Sequence, residues 1–593
     1  MGIALAGQLW QKFFVIATNL PPIAPVPAKI GWGDRAYILL LPLVGWLAFD
    51  INPWNQKDYV DPWFYTGAGQ AFTTLVARYG WPYYYIRFPV VFLNSVFCGG
   101  NHPALGYLLL RYVLLVAICG TIYGMALRRY SRRTALVASL FVLCEPVLLR
   151  NIMWDYPPFV SLSAALVGIM MWEYEGDGSW VRKYCAGGLF CVAANSNVFI
   201  VTLLGCYGLA AIGYQIFTKQ FRRTCIDLGV GGLGFLTILC LGIAYLKGRV
   251  PAFQPLSLWT VTVEAVRSGN TYAKTHSVPF ATWGATLTHI YTPFAMTVAA
   301  LILSWKNVRN ARELVLPVTG GLYCIFFLIY AQISGTFVFD TFYYFAHLAM
   351  VSHLVVPHVL GTIERRANLP SVPTVMAAMV LLVFIFIAVT VNRNAFTGNL
   401  VPSTWTWIWG AEATVVVAAI GCRTMRNSVC LGLASLVLFG AVCLMDFNHP
   451  TGRFVYNNPW QKAEKECYDI GVQYARLWQK HAQVDGNPFA WFNRSDRAPD
   501  LFALTFVSLG VSLSEKWGDP QGMPNIGDYE MARLRENRNV RIIMLATDLA
   551  RIAAGKRALE SRGLNVKTLE VKHLESGSFK LEVEVISFEF QTK

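Results

Sequence analysis

Three carboxylates and five aromatic rings crowd the stretch Asp50-Ile-Asn-Pro-Trp-Asn-Gln-Lys-Asp-Tyr-Val-Asp-Pro-Trp-Phe-Tyr-Thr-Gly, directly after the first apolar run of the chain. A carboxylate held at a membrane surface can serve as a general base for a hydroxyl. Asp61 is the best placed of the three. Pro62 follows it, and Trp63-Phe-Tyr-Thr-Gly-Ala-Gly-Gln-Ala-Phe reads as an amphipathic helix, so Asp61 stands at the N-cap. That position is also compatible with a cap and nothing more. A second acidic site lies in Glu145-Pro-Val-Leu-Leu-Arg-Asn-Ile-Met-Trp-Asp-Tyr-Pro-Pro, where two prolines fix the turn after Asp155 and Arg150 lies five residues before it. A structural Glu145–Arg150 pair is the competing reading of that segment.

Positive charge gathers elsewhere. The segment 247–289 carries Lys247, Arg249, Arg267, Lys274, His276 and His289 against one acid, Glu264. Such a loop suits an anionic lipid headgroup or a departing phosphate; a solvated loop drawn to lipid is the plainer alternative. Arg87 follows Tyr83, Tyr84 and Tyr85, which with Trp81 suit an interfacial aromatic belt or a surface on which a sugar stacks. Arg111 lies a turn or two inside an apolar run, where it snorkels or holds a lipid phosphate. His347 and His358 share a helical face, as hydrogen-bonded histidines between helices would.

These residues are positioned by a chain that is mostly membrane. Of 593 residues, 55% are hydrophobic and 14% charged, a composition that excludes an ordinary soluble protein. Apolar runs recur at 36–51, 104–127, 134–149, 158–172, 184–194, 198–217, 226–246, 290–305, 314–331, 341–361, 371–391, 404–421 and 427–445, with 184–194 the weakest. The fold expected is a polytopic α-helical membrane protein of about 13 transmembrane helices with a C-terminal soluble α/β domain. The net charge of +15 then reads as topology rather than nucleic-acid binding. Arg128, Arg129, Arg132, Arg133, Arg182, Lys183, Lys219, Arg222, Arg223, Lys306, Arg309, Arg312, Arg365, Arg366, Arg423 and Arg426 all fall in short alternate linkers, which places the N-terminus inside. The outer loops are 51–103 and 247–289, and the inner face holds little but short linkers. No cleavable signal peptide is evident. The cysteines lie mainly in apolar runs and form no Cys-x-x-Cys pair, so neither zinc nor a disulfide framework is expected.

Residues 1–445 therefore form the membrane domain, and 446–593 an outer domain. In the latter, 460–484 and 499–511 read as helices, Pro488–Phe492 and Val540–Ala546 as strands, 547–562 as a helix with Gly563 at its C-cap, and Val566–Val571 and Lys580–Phe588 as alternating strands. It has no Gly-x-Gly-x-x-Gly and no P-loop, so no nucleotide site is expected.

The acidic first outer loop beginning Asp61-Pro-Trp-Phe-Tyr, the acid in Arg150-Asn-Ile-Met-Trp-Asp155-Tyr after the third span, the basic inner loops and the outer domain after thirteen spans resemble the GT-C membrane glycosyltransferases. The nearest groups by layout are the aminoarabinose transferases, the protein O-mannosyltransferases and the single-chain oligosaccharyltransferases. The resemblance implies a polyprenyl-phosphate sugar donor and a glycan, lipid or protein acceptor. It implies catalytic roles for Asp61 and Asp155. The chemistry of such a donor assigns Arg87, Arg150, Lys247, Arg249, Arg267, Lys274 and His276 to the phosphate and Tyr84 and Tyr85 to the sugar. The short basic loops and the lack of sorting signals fit a bacterial inner membrane, with the N-terminus cytoplasmic and the C-terminal domain periplasmic. Two departures matter. Asp155 stands alone where oligosaccharyltransferases have an Asp-x-Asp-like pair, which leaves a divalent metal open. The C-terminal domain has no Trp-Trp-Asp, which argues against recognition of an asparagine sequon. A lipid or lipid-linked sugar flippase is the alternative; it predicts internal repeats and ionisable groups at mid-membrane.

Overall fold

The computed structural model describes most of residues 30–49, 87–143, 158–264, 291–366, 488–492, 528–536 and 540–591, with single positions in 65–76, 148–152 and 470–481. The apolar runs expected at 371–391, 404–421 and 427–445, and the helix at 499–511, lie outside the described residues.

The long helices of the first 366 residues are α1 (Trp32–Phe49), α2 (Phe88–Cys98), α3 (Pro103–Arg129), α4 (Arg132–Leu143), α5 (Pro158–Trp172), α6 (Ser179–Ser196), α7 (Ile200–Phe217), α8 (Phe221–Arg249), α9 (Tyr291–Asn307), α10 (Val315–Ser334) and α11 (Phe342–Arg366), and a further helical stretch covers 256–264. Ten of them coincide with the first ten expected runs. Stretches within α3, α7, α8 and α10 are long and apolar enough to cross a membrane.

The run at 184–194 looked weak because it is rich in small residues. In the structure it is the eighteen-residue α6, and its small residues are what its neighbours require. A Cβ on Gly187 would lie 1.8 Å from the Gly231 carbonyl oxygen of α8, and one on Gly234 would lie 1.9 Å from that of Tyr184. The two backbones touch only because these positions are glycine. As the sequence implied, α6 ends at the asparagines: the Asn197 side chain accepts from the Phe199 amide at 2.9 Å and opens the turn into α7.

Helix α11 packs against α3, α4, α5, α9 and α10. His347, Ser352, His353 and His358 on it are all buried. The reading of His358 as a hydrogen-bonded core histidine holds. Tyr130 meets its Nδ1 at 2.7 Å, and Ser304 of α9 meets its Nε2 at 2.6 Å.

α2 has no counterpart among the expected runs. It is an eleven-residue apolar helix inside the expected loop 51–103, packed against α3, α6 and α8. It is too short to span, and for that reason a search for twenty-residue runs passes over it.

The C-terminal part contains β1 (Phe489–Phe492), α12 (Asp528–Glu536), β2 (Ile542–Ala546), α13 (Leu549–Glu560), β3 (Leu564–Ser576) and β4 (Phe579–Phe590). The sheet order is β1-β2-β4-β3, parallel between β1 and β2 and antiparallel elsewhere. All five residues of β2 are buried. Ile542, Met544 and Ala546 meet α12 and α13 on one face, while Ile543 and Leu545 meet Ile470, Tyr474 and Leu477 on the other. Asp548 caps α13 by accepting from the Arg551 amide at 2.8 Å. Gly563, at φ +83°, takes the left-handed turn expected at the helix C-cap.

Candidate active site

Tyr65, Phe72, Thr73 and Val76 are helical. Tyr65, Phe72 and Val76 fall at i, i+7 and i+11, one stripe of a helix, and all three are buried. They fall within the segment where an amphipathic helix was expected; its start at Asp61 lies outside the described residues. Phe72 and Val76 pack with Phe88 and Val91 of α2, Leu246 of α8 and Phe253 beyond it. The Thr73 hydroxyl donates to the Arg249 carbonyl at 3.2 Å, tying the same helix to the end of α8.

Tyr65 is fully buried in a cluster with Val90 of α2 and Val160 of α5. In sequence Tyr65 follows Asp61 by four residues and Val160 follows Asp155 by five.

Arg87 enters that cluster from the start of α2. It donates from Nη1 to the Tyr65 hydroxyl at 2.5 Å, and its guanidinium lies 5.7 Å from the centre of the Tyr65 ring. Its carbonyl accepts the amides of Val90 and Val91, which begins the helix.

Arg111 is neither a snorkelling residue nor a surface one. It is buried, and its Nε donates to the carbonyl of Ile152 at 3.1 Å. A cation inside α3 therefore grips the segment three residues before Asp155.

Lys247 and Arg249 are both exposed at the end of α8. Arg249 lies 5.6 Å over the Tyr245 ring, which packs edge-on against Phe92 of α2. The structure thus joins Arg87 and the end of α8 through one apolar cluster containing Phe88 and Leu246. Asp61, Asp155, Arg150, Tyr84, Tyr85, Arg267, Lys274 and His276 lie outside the described residues. Among the described residues no three His, Cys, Asp or Glu side chains gather as a metal site.

The opposite end of the helices is not the bare set of linkers that the sequence implied. Glu173 accepts from Arg129 at 2.7 Å, from Arg312 at 3.2 Å and from the Tyr207 hydroxyl at 2.7 Å. Arg365 binds Glu313 through both terminal nitrogens, at 3.0 and 2.9 Å, and the Arg129 carbonyl at 2.9 Å. Glu364 accepts from Thr134 and Ser131. Asp34 accepts from Tyr123 at 2.5 Å and Arg132 at 2.6 Å. Lys183 is buried between Asp227, 3.4 Å away, and the face of Trp172. The basic linker residues do more than set topology: several are the cationic halves of buried pairs. The sequence showed acids in the linker before Arg182 but not that Glu173 there, Glu313 and Glu364 would meet basic linker residues or their neighbours.

No family model matches the chain, and no curated protein matches it. Solved structures of multi-span enzymes are similar in layout. ArnT from Cupriavidus metallidurans bound to undecaprenyl phosphate is 12% identical, with 94% of this chain and 98% of that chain covered and a TM-score of 0.44. The archaeal oligosaccharyltransferase AglB from Archaeoglobus fulgidus, in complex with an inhibitory peptide and a dolichol-phosphate, is 12% identical. There 87% of this chain and 70% of that chain are covered, with a TM-score of 0.40.

Proposed function

We infer that the chain is a membrane glycosyltransferase that moves a sugar from a polyprenyl-phosphate donor to an acceptor hydroxyl. The reaction would take place at the membrane face that carries the first loop, the periplasmic face of a bacterial inner membrane in the orientation read from the loop charges. Asp61 takes the proton of the acceptor hydroxyl as the new glycosidic bond forms. The sugar–phosphate bond breaks, and polyprenyl phosphate leaves with the bond electrons. Arg87, Arg150 and the cations of loop 247–289 stabilise the phosphate charge that develops. Asp155 orients the acceptor. The donor carries its own activated leaving group, so the reaction needs no nucleotide site.

One observation carries this reading: Tyr65, Arg87 and Val160 converge. Tyr65 and Val160 share one buried cluster, and in sequence a carboxylate lies four residues before the one and another five residues before the other. A cation stands within hydrogen-bond reach of that cluster. The flippase reading draws on the buried His347 and His353 of α11, because ionisable groups inside a membrane domain are often functional.

The test is release of polyprenyl phosphate from a synthetic polyprenyl-phosphate sugar by the purified protein in sealed proteoliposomes, with an envelope glycolipid extract supplying acceptor hydroxyls. Asp61→Asn is expected to slow release by roughly 10²–10⁴-fold with the donor still bound. Full activity in that variant would remove Asp61 from the role of base. Movement of the intact donor between leaflets, with no sugar transferred, would favour the flippase.

A further inference from the structure

Helix α8 has an unbroken exposed stripe at Leu233, Leu236, Cys240, Ala244 and Lys247, spaced by three and four residues along one face. Its 29 residues make it about 43 Å long at 1.5 Å per residue, against a hydrocarbon core of about 30 Å. An apolar stripe of this kind on a spanning helix faces lipid, and at that length its terminal Lys247 reaches headgroup level. The exposed apolar surface then resumes past the helix end. A helix over 256–264 follows within a few residues, with Leu256 and Trp259 each 69% exposed. Its other face is committed to protein: Leu258 packs on the cluster that includes Phe72, Leu246 and Phe253. Glu264, two turns beyond Leu256, is exposed on the same side.

We propose that Leu256 and Trp259, flanked by Lys247 and Arg249, form a docking surface for anionic phospholipid in the leaflet surrounding the protein. Three features select this occupant. The surface continues the lipid-facing stripe of α8. It pairs a leucine and a tryptophan with two cations, the composition of a helix that lies in the headgroup layer. It carries exposed Glu264 two turns beyond Leu256, so the helix dips into the bilayer at Leu256 and keeps its acidic group in water. Docking there fixes where the loop 247–289 begins, relative to the bilayer and to the first-loop helix that Thr73 ties to Arg249. The inference goes beyond the catalytic reading and does not require it.

The test needs no turnover. Benzoylphenylalanine is placed at position 259 of the full chain, in nanodiscs of phosphatidylcholine and phosphatidylglycerol in equal parts. The adducts formed under ultraviolet light are identified by mass spectrometry. Phosphatidylglycerol adducts are expected to exceed phosphatidylcholine adducts by roughly fivefold per contributing cation. In a Lys247→Gln/Arg249→Gln background the lipid adducts should persist but return to equal proportions. Adducts to protein in place of lipid would overturn the proposal. So would equal proportions in the wild-type background, or adducts dominated by a polyprenyl phosphate added at trace level. The last result would place the surface in the donor site instead.

Discussion

The two ends of the helical domain use cations in opposite ways. At the basic end, Arg129, Arg132, Arg312 and Arg365 each meet a carboxylate within 2.6–3.2 Å; of those carboxylates, Glu173 takes a further bond from Tyr207 and Asp34 one from Tyr123, while neighbouring Glu364 accepts from Thr134 and Ser131. At the other end, Lys247 and Arg249 make no ion pair among the described residues, and Arg87 donates to a neutral phenol. A paired cation has its field cancelled locally and acts as a joint between helices. A cation in water, such as Lys247, keeps its field and can hold an anion that arrives later. The two ends therefore differ in the company their cations keep: carboxylates at one end, a phenol, an aromatic face or water at the other.

The largest effect expected from breaking that contrast is at Glu173. Glu173→Gln leaves Arg129 and Arg312 side by side with no carboxylate between them. Removing one partner from a buried ion pair costs about 3–5 kcal/mol. The full-length protein in detergent should show a clearly lower Tm, while the donor KM of the protein that remains folded should not move. A lower kcat with an unchanged Tm would show that the basic end is not merely a scaffold.

The mirror-image variant is Tyr65→Phe, which removes the hydroxyl that Arg87 donates to. A hydrogen bond to a charged group contributes about 1.5–3 kcal/mol. Its loss should appear as a roughly tenfold or greater change in phosphate-dependent donor binding, with a small change in Tm. Arg87→Lys should not restore the behaviour, because an ammonium lacks the planar fork. If Tyr65→Phe lowers Tm as much as Glu173→Gln does, the two ends are alike and the contrast fails.

A smaller effect is expected in the C-terminal domain, which has a cluster of its own. Glu570 accepts from Lys480 at 2.9 Å and from His481 at 2.8 Å, and Arg541 meets the other ring nitrogen of His481 at 2.6 Å. Burial favours the protonated acid, but the hydrogen bonds from Lys480 and His481 outweigh it and hold the Glu570 carboxyl at about 2, below its ordinary 4.5. Burial also lowers His481, against the pull of Glu570. Arg541 can only donate, so Nδ1 accepts and the neutral ring donates from Nε2. Both groups bind protons more weakly folded than unfolded, so their contribution is present at neutral pH and falls as pH falls. It weakens first below the ordinary histidine range and then between about 4.5 and about 2. Protection of the amides of 470–481, taken as exchange relative to the intrinsic rate at each pH, should fall over that descent, and Glu570→Gln should flatten the lower part of the change. Protection independent of pH would mean that the cluster contributes nothing to docking that helix.

The contrast between the ends was half visible in the sequence. Hydropathy located the helices, because a lipid-exposed span such as α8 must be apolar over its length. It undervalued α6, whose Gly187 and Gly188 lower the mean while permitting contact with α8. It passed over α2 because an apolar helix of eleven residues has no length signature. Strand alternation found β3 and β4 but cut β3 short. The pairing register shifts between Thr568 and Glu570, so the alternation breaks there while the strand continues to Ser576.

Within the site, the acidic first loop and Arg87 were legible because charge beside an apolar run stands out. Tyr65 was not, since a buried tyrosine in an aromatic-rich segment has no signature until its partner is known. Arg111 was noticed for its position inside an apolar run and misread as reaching outward. Its partner, the Ile152 carbonyl, belongs to the backbone, which a reading of side-chain types does not see. The pairing at the basic end was hidden for a related reason: Arg312 and Glu173 are far apart in sequence and adjacent only after folding.

The most direct test of the central claim is a mass-spectrometric comparison of envelope glycolipids and polysaccharides in the native host. Wild type, a deletion strain and a strain carrying Asp61→Asn are compared, with equal amounts of the two proteins in the membrane. The account predicts that one sugar unit disappears from the same glycan in both mutants, while its polyprenyl-phosphate donor accumulates. A full complement of that glycan in the Asp61→Asn strain would contradict it.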